Sequence, residues 1–314
     1  MRPVFLCVLP LLLISILAYQ PNTPPLRVGL TLKACDGPLY LASILQFWSP
    51  EDAKLNIYST DNQAINAFKE GKIDAVSLYP HEVLTLWSEN IPATIILVLE
   101  VSNGADTIVA HSSIANLSDL KGKTIAIENN PNNLYMLNRA MESATLQESD
   151  ITLVNFTPDA HYSAFKKGEL HAVTAKRSHI KNFIDIGGNE LFTSRNIPGE
   201  IAQVLVVNPA FLDHSANQVD ALITNWFKVM HYIEKNPNSS TKQIAKWLDV
   251  EPDNLYWELS TMQLTNRDDN IRMLVGEGAS IHITLNKLRD TMLKHNLLAH
   301  SPPVEHMVND SFVR

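Results

Sequence analysis

The chain has 314 residues, 45% hydrophobic and 18% charged, which is enough apolar material for one large or two medium globular domains. A formal net charge of -8 excludes a nucleic-acid surface, because phosphate binding needs clustered Lys and Arg, and Lys166-Lys167 and Lys176-Arg177 are too small to supply it.

The first predicted element is the apolar run from Val4 to Ala18, preceded by Arg2 and followed by a Pro-rich stretch that cannot continue a helix. The run is shorter than the ~20 residues of a membrane span, so residues 1–18 read as a secretory signal, with an uncleaved anchor as the alternative. Cys7 lies inside it. The mature chain then keeps Cys35 alone, which excludes an internal structural disulfide.

Two pairs of segments repeat in order. RVGLTLKACDGPLYLASIL, from Arg27, matches TIAIENNPNNLYMLNRAM, from Thr124, as strand, polar turn and helix. AFKEGKIDAVS, from Ala67, matches AFKKGELHAVT, from Ala164, as a helix closed by Gly71 or Gly168 and then a β-branched strand. Two similarly built α/β units follow, with parallel sheets covered on both faces. Residues 26–102 form the first part of one lobe and 106–200 the second lobe, while 203–299 return to the first. Between the apolar runs ATIILVL and TIVA, the residues Ser102 to Ala105 read as one crossing, and NIPGEI as the other, each with a glycine where the backbone flexes. A plain surface turn is the competing reading of Ser102 to Ala105. From Pro209 onward the pattern is helical, beginning with a Ser cap at Ser215, and Trp226, Trp247 and Trp257 read as core. The tail 301–314 has Pro302-Pro303 and no periodicity, and reads as loose.

No phosphate loop, nucleophile elbow or paired metal-spaced His occurs, so catalytic residues, cofactors and metals are all expected to be absent. Two lobes joined by two flexible links instead suit a protein that closes on a small molecule at the carboxyl ends of its strands.

The segments GPLYLA, AFKEGKIDAV, VSNGADTIVA, LSDLKGKTIAIE and IPGEIAQVLVV resemble those of solute-binding proteins of nitrate, sulfonate and taurine type ABC transporters, whose relatives include binders of thiamine-precursor pyrimidines. The resemblance runs from Leu26 to Leu298. It implies a type II periplasmic-binding-protein fold with a C-terminal helical return, a monomeric periplasmic protein, a small-molecule ligand and an ABC permease as partner. A membrane sensor kinase or nucleotide cyclase is the alternative partner, and a pyrimidine-synthase-like or dehydratase-like enzyme the remaining alternative. Three cleft loops depart from the pattern: Lys33 to Gly37 where an aromatic-rich stretch is usual, His81-Glu82 for Asp-Glu, and Lys176-Arg177 for Glu-Pro.

The strand-end rule selects Asp36, Gly37, Pro38, Asp61, Ser77, Tyr79, Glu82, Asn103, Asp106, Asn129, Asn130, Thr174, Arg177 and Glu200 as candidate ligand contacts. Asp36, Tyr79, Asn130 and Glu200 lead this set. Asp36, Asp61 and Asn130 could equally cap the helices that follow them. Acidic residues outnumber basic ones in these loops, which points to a neutral or cationic nitrogen-containing ligand facing Asp36 or Glu200, with Tyr79 offering a ring face. A general surface charge is the competing explanation.

Overall fold

The structure, a computed structural model, describes residues 24–314 except 128, 129, 156 and 277. The proposed signal 1–18 with Cys7, and the loop residues Glu128 and Asn129, lie outside the described residues.

The chain begins with β1 (Leu26–Thr31), α1 (Gly37–Ile44), β2 (Ala53–Tyr58), α2 (Asp61–Lys69), β3 (Ala75–Leu78), α3 (Pro80–Ser88) and β4 (Thr94–Ser102). It continues with β5 (Asp106–His111), β6 (Thr124–Ile127), α4 (Pro131–Ser143), β7 (Thr152–Asn155), α5 (Pro158–Lys166), β8 (Ala172–Lys176), α6 (Arg177–Ile184) and β9 (Gly188–Thr193). Last come β10 (Ala202–Val207), α7 (Pro209–Lys235), α8 (Pro237–Leu248), α9 (Pro252–Leu259), β11 (Met262–Leu264), α10 (Arg267–Leu274) and α11 (Ser280–Lys294). The repeat is visible in the backbone: Gly71 and Gly168 close α2 and α5 at φ +67° and +74°, where a side chain would be strained.

Two separate sheets result, ordered β11-β4-β10-β3-β1-β2 and β7-β6-β8-β5-β9. They are mixed, which corrects the expectation of parallel sheets. β10 runs antiparallel to β3 and β4, and β5 antiparallel to β8, while β1, β2 and β3 are parallel, as are β6, β7 and β8. The cause is connectivity. A strand that enters its sheet from the other lobe arrives at the carboxyl end of the strands already there, so it must run against them. Consequently both crossings and all the local strand ends meet in one interlobe cleft.

The crossings are the segments between Ser102 and Asp106 and between Asn196 and Ala202. Polar contacts tie them together. Ser102 Oγ lies 2.7 Å from Asp106 Oδ2 and 2.8 Å from Ser194 Oγ, and the Gly104 N–H donates to Ser194 Oγ at 2.7 Å. Gly104 has φ +100°, a conformation that strains any other residue, and a Cβ there would also have to displace the Arg195 guanidinium, 2.8 Å away.

The core of the first lobe gathers fully buried residues from β1, β3, β4 and β10 against α7, where Trp226 is 0% exposed and donates its indole N–H to the Thr265 carbonyl at 3.0 Å. α7 leaves helical geometry at Ser215 (φ -142°, ψ 26°), the position read as a cap, but helical turns also precede it. The return is not purely helical, since β11 adds an edge strand antiparallel to β4. The tail 301–314, expected to be loose, is packed. Val304, Met307 and Val313 are buried against the first lobe, the Ile95 N–H donates to the Met307 carbonyl at 2.7 Å, and Arg267 donates to the Val313 and Arg314 carbonyls. Its apolar residues are too few to form a period, yet they cover one edge of a core that would otherwise be wet.

Candidate functional site

The first strand ends build a connected polar floor. After β1, Asp36 is fully buried and its carboxylate turns back to accept the Thr31 N–H at 2.9 Å instead of capping α1. Burial pushes its pKa up to about 6, with the Lys33 ammonium opposing. Gly37 and Pro38 start α1 as packing residues: a Cβ on Gly37 would strike Ile244 of α8 at 2.5 Å. Asp61 starts α2 and pairs with Lys33 at 2.7 Å, while the cap of that helix is Thr60. Ser77 accepts from Gln203 at 3.0 Å.

Tyr79 is the N-cap of α3. Its backbone N–H donates to Glu82 at 2.8 Å, and burial lifts the Glu82 carboxyl to about 7. The Tyr79 ring is already engaged, with Lys33 Nζ 4.8 Å from its centroid and His81 stacked at 5.6 Å. His81 in turn reaches across the cleft, with Nδ1 3.1 Å from Asn132 Oδ1 on α4. Burial holds this imidazole down at about 4, so it is neutral near pH 7 and bridges the lobes as a hydrogen-bonding group.

On the second-lobe side, Asn130 is exposed and caps α4 by accepting the Asn132 N–H at 2.8 Å. Thr174 on β8 is buried, and its hydroxyl has no partner among the described residues. Arg177 donates from Nε to the Gly104 carbonyl at 2.9 Å and pairs with Glu190 at 2.6 Å. Asn103 accepts from Arg195 through its carbonyl and lines a separate hollow behind the hinge. Glu200 is clasped by α4, accepting from Tyr135 Oη at 2.6 Å and from Arg139 at 2.6 and 3.0 Å. These donors hold its carboxyl below the ordinary range even though burial acts the other way.

A cavity of about 770 Å³ opens between the lobes. Of the candidates, Tyr79, Asp106 and Arg177 line it; Asp36, Asp61, Glu82, Asn130 and Glu200 do not. Its wall also carries Lys176 from β8, which belongs to the cleft loop Lys176-Arg177 singled out from sequence, and Glu100 from β4 and Trp257 and Glu258 from α9, which the strand-end selection did not put forward. Trp257 is 46% exposed, so it is not the core residue that its helical spacing suggested. Trp247 differs again, half-buried and stacked on Tyr40 at 4.7 Å.

Charge in the cavity is unequal. Asp106 is neutralised by Lys176, Arg177 by Glu190, and Lys181 by Asp185. Glu100 is buried, and its Oε2 has no hydrogen-bond partner among the described residues. Burial raises its pKa to about 8; Asp106 adds to the rise, while Lys176 and Lys33 oppose it. Burial raises Glu258 as well, against the pull of Lys176. Isolated buried carboxyls are costly unless they are met by a donor or a cation. Among the described residues no group of three His, Cys, Asp or Glu is placed to hold a metal ion.

The Glu200 clasp leads to a first prediction. Glu200→Ala leaves Arg139 and Tyr135 facing an empty position and is expected to lower stability by about 2 kcal/mol. Ligand affinity should stay within about threefold, because the carboxylate lies outside the cavity. Thermal unfolding and calorimetric titration of the same variant check both; a large loss of affinity with unchanged stability would restore Glu200 as a ligand contact.

Comparison with known proteins agrees with this fold. The family described as NMT1/THI5 like matches residues 36–240. A protein of Brucella abortus (strain 2308), provisionally named a binding protein, is 21% identical over 257 residues, covering 77% of this chain and 78% of its own. The periplasmic aliphatic sulphonate binding protein SsuA of Escherichia coli superposes with a TM-score of 0.75 at 15% identity, over 92% of each chain. The desulfurization enzyme DSZB superposes with a TM-score of 0.62 at 13% identity, over 93% of this chain and 98% of its own. The fold is therefore that of type II periplasmic binding proteins, two α/β lobes with a two-crossing hinge, a fold that also serves an enzyme.

Proposed function

The chain belongs to the NMT1/THI5-like family, and on that premise we propose that it is an extracytoplasmic solute-binding protein. Its two lobes close over a small nitrogen-bearing ligand, cationic or N–H-donating, and pass it to the permease of an ABC importer. Residues 1–18 serve as its secretion signal, and the protein acts as a periplasmic monomer without catalysis.

One observation carries the ligand assignment: the buried Glu100 carboxyl, whose Oε2 has no hydrogen-bond partner among the described residues, in a cavity whose Lys176, Arg177 and Lys181 are paired with carboxylates. A sulfonate needs fixed cations or directed N–H groups. Here Lys176 is spent on Asp106 and Arg177 on Glu190, while Glu100 and Glu258 remain to receive positive charge. Of the residues first favoured, Asp36 supports the floor through Lys33 and Tyr79, and Asp106 contributes directly from the wall.

Calorimetric titration at pH 8 with taurine, nitrate and a panel of primary and heterocyclic amines tests the proposal. An amine is expected to bind, and at a hundred times its Kd to add about 2.7 kcal/mol to stability in a thermal shift. Tight binding of an anion, lost in Lys176→Ala and kept in Glu100→Gln, would overturn it.

A further inference from the structure

We infer that the ligand carries an extended apolar, preferably aromatic, body behind its nitrogen head, and that Trp257 is the specificity-determining residue that selects it. The inference rests on the binding-protein reading above and adds the chemistry of the rest of the ligand.

The size of the cavity is the first argument. About 770 Å³ is the volume of a site for a ligand of many heavy atoms, and a bare amine or ammonium ion would leave most of it wet. Composition is the second. Beside its charged and polar residues the wall carries apolar side chains from four different segments: Ile180 of α6, Ile201 of the second crossing, Met262 of β11 and Trp257 of α9. Such a convergence from both lobes is not the by-product of one helix face. The third argument lies in α9 itself, whose single buried residue is Leu255. Trp257 is 46% exposed, so it contributes little to the core, and its large side chain lines the cavity.

Tyr79, the obvious aromatic surface from sequence, cannot do this work, because Lys33 and His81 already stand against its ring. Trp257 lines the cavity and is 46% exposed, which leaves indole surface for a guest. Met262 beside it is unbranched and adaptable, which suits a wall that moulds around a body of variable shape. Glu258 follows Trp257 in sequence and faces the same cavity, so one short helix offers both an apolar surface and a carboxyl.

The test is calorimetric titration of the full chain at pH 8 with methylammonium, butylamine and phenethylamine, repeated on Trp257→Ala and Trp257→Phe. Phenethylamine is expected to bind about 30-fold more tightly than methylammonium, the gain of burying one ring. Trp257→Ala should remove about tenfold of that ratio and leave methylammonium within twofold, and Trp257→Phe should keep most of it. Equal affinity of methylammonium and phenethylamine, or an unchanged ratio in Trp257→Ala, overturns the inference while leaving the proposed function standing. Binding of no amine in the series refutes the proposed function and this inference with it.

Discussion

Glu100→Gln is expected to weaken binding of a cationic ligand about a hundredfold while making the ligand-free protein more stable, two effects of opposite sign from one substitution. The first follows because glutamine keeps the shape and removes the charge that the ligand answers. The second follows from linkage. The Glu100 carboxyl rises from an ordinary 4.5 to about 8 in the folded state. A carboxyl with a raised folded pKa contributes stability that is complete below 4.5 and lost as pH climbs through 8. The loss reaches of order 5 kcal/mol by pH 8, an upper bound that relaxation would reduce. Glutamine does not titrate, so denaturant unfolding at pH 8 should show the variant more stable and at pH 4.5 show little difference. A variant that binds the ligand within threefold of the original would remove Glu100 from the site.

Ligand affinity is expected to fall about tenfold for each pH unit below 8, with close to one proton released per ligand bound at pH 7. A cation at Glu100 must displace the proton that burial keeps there. The groups that set the charge around Glu100 are Asp106 and Lys176 across the hinge, Lys33 and Cys35 after β1, and Glu258 on α9. Lys176 and Lys33 favour its ionisation, and the two carboxyls oppose it. Titrations at one pH in buffers of different ionisation enthalpy measure the proton count directly, and Glu100→Gln should abolish most of it. The ligand-free protein should show the reverse trend. Glu82 and Asp36, raised by burial to about 7 and about 6, also lose stability as pH rises, whereas His81, lowered to about 4, loses it as pH falls from 6.5. Above pH 6.5 only the acids act, so ligand-free stability declines just where affinity climbs. An affinity independent of pH between 6 and 8 would contradict a charged Glu100 in the complex.

Local pattern is what made the architecture legible. Gly71 and Gly168 punctuate matched helices, nine consecutive buried residues make β4 unmistakable as a central strand, and the polar gap at Ser102 to Ala105 marks where the chain leaves the sheet. Strand direction was less accessible, because nothing local in AQVLVV says that β10 enters from the other lobe. The site was half legible for a similar reason. Tyr79, Asp106 and Arg177 follow from the strand-end rule, but Trp257 and Glu258 reach the cavity only through the long return of the chain. Glu100 did have a signal: a carboxylate inside an otherwise apolar strand is an expense that a core does not make without a reason. Glu200 looked like a ligand contact because its partners Tyr135 and Arg139 are distant in sequence and meet it only after α4 has packed.

The packed tail bears on the order in which the molecule can be assembled. The first lobe draws its strands from residues 26–102, 202–207 and 262–264 and covers its core with Val304, Met307 and Val313, so it cannot be finished until the chain that follows the second lobe has been added. The second lobe draws all five of its strands from one uninterrupted stretch, β5 to β9. Its contacts are shorter in sequence, and such units form sooner. A newly made chain thus holds one ready half and one half in waiting, with the long β4 strand and its apolar neighbours as the part most exposed to misassociation until β10, β11 and the residues that cover them are in place.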